Sequence, residues 1–92
     1  SLAQVKRNVQ GLVARGVHVE LTSLIVPGVS DSVECFEAMI AWIAGLSAEI
    51  PLHISRYFPA YKYTAPPTDI SLMRRFAAIA SGRLRFVHLG NV

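Results

Sequence analysis

Val17-His18-Val19-Glu20-Leu21-Thr22-Ser23-Leu24-Ile25-Val26-Pro27-Gly28 decides the fold. β-Branched and apolar residues dominate from Val17 to Val26, and Pro27-Gly28 ends the run with a ring that cannot donate to a ladder, so it reads as a buried strand. Upstream, Leu2, Val5, Val9, Leu12 and Val13 recur at spacings of three and four, the mark of one apolar helix face. Gly16 then supplies the residue that tolerates a left-handed C-terminal turn. Downstream, Asp31-Ser32-Val33-Glu34 has the form of a capping box, an acidic side chain accepting the first backbone donors while Glu34 reaches back, which starts a helix near Ser32.

Phe36, Met39, Ile40, Ile43 and Leu46 give that helix a core-facing stripe, and Pro51 marks the passage into a strand from Leu52 to Phe58. Pro59 to Thr68 is a loop by its prolines. Thr68 or Asp69 caps a third helix that turns Leu72, Met73, Phe76, Ile79 and Ala80 inward; Gly82 closes it, and Leu84 to Leu89 is the last strand. Each connection holds a helix and is too long for a hairpin, so the strands are expected to run parallel. The expected class is α/β, with parallel βα units forming part of a (β/α) TIM-like open barrel. Residues 1–92 would make a single partial-barrel domain with an exposed strand edge.

Composition narrows the function. Of the 92 residues 52% are hydrophobic and 16% charged, a balance that suits strands covered on both faces by a partner better than a free-standing module. The net charge is +3, but the nine Lys and Arg are scattered, which argues against nucleic acid. The longest apolar run, Phe36 to Leu46, contains Glu37 and is far short of a bilayer span, so no membrane role is expected. Cys35 is the single cysteine, which excludes an internal disulfide and makes the cytoplasm the expected compartment. It reads as a buried small residue. The chain opens at Ser1 on a helix-like segment with no signal-peptide pattern, as a piece of a longer polypeptide would.

Parallel α/β folds bind ligands at the carboxyl ends of their strands. That selects Leu24 to Asp31, Tyr57 to Tyr63, and Gly90-Asn91. Alternation sharpens the choice: Glu20, Thr22 and Leu24 share one face of the first strand, and His53, Ser55 and Tyr57 the matching face of the second. A carboxylate, hydroxyls and an imidazole thus converge, able to bind a substrate or move a proton, or to serve as a satisfied polar layer. Arg56, with Tyr57, Tyr61, Lys62 and Tyr63, has the composition of a recognition rim. His18 and His88 lack further ligands at metal spacing and read as structural, and no residue is assigned as metal ligand or catalyst.

Three pieces in order, Val17 to Gly28, Pro51-Leu52-His53-Ile54-Ser55-Arg56-Tyr57-Phe58-Pro59 with Tyr61-Lys62, and Gly90-Asn91-Val92, carry a resemblance that covers nearly the whole chain. The sequence resembles the later βα units of radical S-adenosylmethionine enzymes of the AmmeMemoRadiSam type, similar to pyruvate formate-lyase activating enzyme. The resemblance implies a four-iron four-sulfur cluster, held by a CxxxCxxC motif near the first strand of the full-length protein, that cleaves S-adenosylmethionine to a 5′-deoxyadenosyl radical. That motif is absent here, so the chain is expected to hold no cluster and to be inactive alone. The resemblance implies cofactor contacts at Thr22, Leu24, Pro27, Gly28, Phe58 and Tyr61; the candidate substrate contacts, Glu20, His53, Ser55, Arg56 and Tyr57, come from the converging polar face and the rim. Thr22 and Tyr61 stand where activating enzymes commonly carry arginine and histidine.

The implied partners are the missing N-terminal half of the barrel and a possible protein substrate; the isolated chain is expected to form a homodimer. An alternative is a non-catalytic protein-binding module that uses the Arg56 to Tyr63 rim. A third reading, a half-barrel of another metabolic enzyme, expects a phosphate at the backbone donors near Gly28 or Gly90.

Overall fold

Three of the apolar, β-branched segments pair as strands in the computed structural model, which describes residues 2–58 and 67–90. The chain order is α1 (Leu2–Ala14), β1 (Leu21–Ile25), α2 (Val33–Leu46), β2 (Leu52–Arg56), α3 (Ile70–Ser81) and β3 (Val87–Gly90). The strands lie in the order β1-β2-β3, all parallel. Leu21 pairs with Leu52, and Leu52 with Val87, so the three strands start nearly level.

Alternation divides the sheet. Ile25, Leu52 and Ile54 turn to one side and are buried among Phe36, Ile40 and Ile43 of α2 and Met73, Phe76 and Ala80 of α3. Phe36 and Phe76 stack with ring centroids 4.3 Å apart and planes 13° off parallel, locking the two helices together. α1 is seated more lightly: Val9 is buried, Val13 packs at the margin of the core, and the Lys6 ammonium lies 5.3 Å from the Trp42 ring centroid.

The parallel βα alternation is present, but the expected TIM-like barrel is not. Barrel closure needs the last strand to bond to the first. Here β2 lies between β1 and β3, and among the described residues both outer strands are edges of an open three-stranded sheet. The strands are also shorter than their apolar runs. The β1 ladder begins where the Leu21 amide donates to the Pro51 carbonyl at 3.0 Å. Leu84 and Arg85 spend their amides on Ala80 and Ala48, at 2.7 and 2.9 Å, which delays β3 to Val87.

The α2 cap lies one residue beyond the expected one, and the α3 cap is one of the two expected. Ser32, not Asp31, caps α2, its hydroxyl accepting from the Cys35 amide at 3.3 Å. Asp69 caps α3, accepting from the Ser71 amide at 2.7 Å, which frees Thr68 for other bonds.

Candidate functional site on the uncovered sheet face

The face of the sheet turned away from α2 and α3 is built by strand register. Thr22, His53 and His88 sit side by side across the three strands, with Leu24, Ser55 and Gly90 in the next row. Glu20 precedes Thr22 by two residues and joins that face through its bond to His53. A Cβ on Gly90 would lie 3.4 Å from the Ser55 hydroxyl, so the absence of a side chain there leaves room beside that oxygen.

Its polar centre is Glu20. The carboxylate accepts from His53 Nε2 at 2.7 Å on one oxygen and from His18 Nε2 at 3.1 Å on the other. These two bonds, His53 first and His18 second, hold the Glu20 carboxyl below its ordinary range. The His53 ring stacks on His88, centroids 5.0 Å apart and planes 25° off parallel. Glu20, His53 and His88 therefore form a continuous path from the edge of β1 to β3.

At the carboxyl end of β1 the chain turns at Val26-Pro27-Gly28-Val29. The Val29 amide donates to the Val26 carbonyl at 3.0 Å and Gly28 has φ 74°, as a type II turn requires. Ser30 fastens the turn: its hydroxyl accepts from the Val26 amide at 2.8 Å and donates to the Leu24 carbonyl at 2.7 Å. A Cβ on Gly28 would meet nothing within 4 Å, so glycine is needed there for its dihedral angle and not for close packing.

Most residues selected from sequence meet on this surface. Glu20 and His53 bond directly, Thr22, Leu24 and Ser55 share their face, and Pro27 and Gly28 stand at its carboxyl end; Tyr57 follows the end of β2 and bonds through its backbone to Thr68. Phe58 is exposed beyond β2. Arg56 belongs to the other side of the strand: its Nε donates to the Thr68 carbonyl at 2.6 Å, and its guanidinium carbon lies 4.7 Å from the Phe58 ring centroid. The guanidinium is committed to holding the chain together. Tyr61, with Pro59, Lys62, Tyr63 and Asn91, lies outside the described residues.

One expectation is corrected. Cys35 is exposed in the first turn of α2, because the apolar stripe of that helix runs through Phe36, Ile40 and Ile43 one position away. His18 and His88, read as structural, lie beside the Glu20 and His53 pair: His18 bonds to Glu20, and His88 stacks on His53 because β2 and β3 both place histidine second, where level starts bring them together. Among the described residues no group of three or more His, Cys, Asp or Glu could hold a metal ion, and no helix is long and apolar enough to cross a membrane.

A protein of Methanocaldococcus jannaschii, described only as uncharacterized, is similar to this chain: 43% identical over 81 residues, covering 84% of this chain and 24% of that protein. The chain spans about a quarter of the length of that relative. No protein-family model matches the chain, and no solved structure matches it.

Proposed function

We propose that this chain is the C-terminal portion of a radical S-adenosylmethionine oxidoreductase resembling pyruvate formate-lyase activating enzyme, completing the cofactor pocket and substrate cavity of a longer cytoplasmic protein. The observation that carries this reading is the sheet face left uncovered by the described residues. Parallel sheets are ordinarily covered on both sides, and an exposed face that gathers Glu20, Thr22, His53 and Ser55 beside a turn at a strand's carboxyl end suits a ligand cavity. The greater length of the relative is compatible with a further segment that covers it.

The chain's own residues do not fit the iron–sulfur cluster: a CxxxCxxC motif needs three thiolates and Cys35 is the single cysteine. No step through the cluster is assigned to them. They fit S-adenosylmethionine better. When bound and reduced elsewhere in the protein, that cofactor supplies a 5′-deoxyadenosyl radical. Here Leu24, 49% exposed, offers apolar surface to the adenosyl part, Thr22 offers a hydroxyl, and the Pro27-Gly28 turn bounds the cavity, whereas Phe58 lies against Arg56 on the other side of the strand. Glu20, His53 and Ser55 then face the substrate, which the resemblance makes a protein.

The test is to express the longer reading frame that contains this chain, reconstitute it anaerobically with iron and sulfide, and add S-adenosylmethionine and dithionite. The expected result is 5′-deoxyadenosine, reduced tenfold or more by Leu24→Asp, an order of magnitude set by burying an unpaired charge against the adenosyl group. A complete reading frame without CxxxCxxC, or no 5′-deoxyadenosine, would overturn the proposal.

A further inference from the structure

Glu20 does more than fill a polar surface. An ionised carboxylate can only accept, so both imidazoles that touch it must donate through Nε2. For His53 this leaves Nδ1 with a lone pair, and no described residue bonds to it. Ring orientation is fixed from two sides, by the 2.7 Å bond to Glu20 and by the stack on His88. The second bond, from His18, holds the carboxylate itself in place from the connection between α1 and β1. An imidazole held by a carboxylate at one nitrogen, with the other nitrogen open, has the working parts of a general base.

We propose that Glu20 and His53 form a carboxylate–imidazole dyad whose Nδ1 takes a proton from an O–H or N–H group of a ligand lying on the uncovered face of the sheet. The ligand's heteroatom keeps its electron pair, the proton goes to Nδ1, and the resulting imidazolium keeps its Nε2–H on the Glu20 carboxylate, which balances the new charge. Reversal returns the proton. No oxidant or reductant enters. The charged and titratable groups that meet the ring are Glu20, which His18 bonds from behind, and His88 from β3. The inference rests on the preceding section only for the place of the ligand; the dyad itself can be tested with no cofactor present.

The test is nitrogen-15 NMR of the histidine rings in the full chain, comparing wild type, Glu20→Gln and Glu20→Ala across a pH titration. In the wild type, Nδ1 of His53 is expected to take the titrating proton while the Nε2 resonance stays nearly still, since Nε2 keeps its hydrogen throughout. Glu20→Gln, whose amide oxygen still accepts, is expected to preserve that pattern. Glu20→Ala should release it: the two neutral tautomers then interchange, which moves the neutral-form Nε2 resonance towards the mixed-tautomer position, and the Nε2 proton exchanges with water about tenfold faster or more, the factor a charge-assisted hydrogen bond is worth. Titration at Nε2 in the wild type, or the same behaviour in wild type and Glu20→Ala, would overturn the dyad. Either result is independent of 5′-deoxyadenosine formation, so failure here and failure of the radical-enzyme reading are separate.

Discussion

Thr68 shows how much one side chain can fasten. It is fully buried; its hydroxyl donates to the Ile25 carbonyl and accepts from the Tyr57 amide at 3.3 Å. Its own amide donates to the Tyr57 carbonyl at 3.1 Å, and its carbonyl accepts from Arg56. Thr68→Val keeps the shape but strips the Ile25 carbonyl and the Tyr57 amide of a partner, and should lower unfolding free energy by about 1–3 kcal/mol in urea titrations. Glu20 makes a prediction of opposite character. Its folded carboxyl titrates lower than its unfolded one, so the stabilisation is complete above the unfolded range and disappears as pH falls through the folded range. Melting temperatures of wild type and Glu20→Gln should therefore differ near neutrality and converge in acid; a gap that widens in acid would contradict the arrangement. Strand alternation made the meeting of Glu20 with His53 legible in the sequence. Nothing made Thr68 legible, because its bond to Ile25 spans 43 residues and depends on how the layers pack.

Among the elements, type and order could be read from periodicity, while boundaries could not. Val17 to Glu20 have strand-forming side chains but no place in the ladder, which is a property of the neighbouring strand and not of the run itself. The choice of Ser32 over Asp31 as cap is equally a matter of one backbone dihedral pair, since either residue type caps well. Ser32→Ala should cost about 1 kcal/mol of stability, read by thermal unfolding, whereas Asp31→Ala should not reproduce that loss through the cap. The helices also differ in how firmly they are held. α2 buries Phe36, Ile40 and Ile43, and α3 buries Met73, Phe76 and Ala80, whereas Val9 is the side chain that α1 buries among the described residues. Amide exchange should accordingly be fastest in α1 and slowest at Ile40, Ile43 and Phe76; equal protection across the three helices would mean that α1 is held by something beyond these contacts.

At the scale of the molecule, the sheet has, among the described residues, two free edges and one uncovered face, on or beside which Leu24 and Phe86 remain 49% and 41% exposed. An open parallel sheet of this kind presents unpaired backbone groups and apolar area together. The isolated chain should associate, most simply as a two-fold dimer, and Leu24→Lys combined with Phe86→Lys should shift light scattering towards the monomer mass. A wild-type chain that scatters as a monomer over a wide concentration range would remove that expectation. The parallel order of the strands was legible from connection length; the open sheet was not, because whether outer strands meet depends on how the layers pack and not on the length of any run.

The reciprocal bonds between Tyr57 and Thr68 pin the two ends of the segment that joins β2 to α3. Once its stems are tied, lengthening a connection adds little: each doubling costs only about 0.6 kcal/mol of closure entropy. A connection whose two ends are tied in this way therefore tolerates a change of length at little cost to the strand and helix it joins.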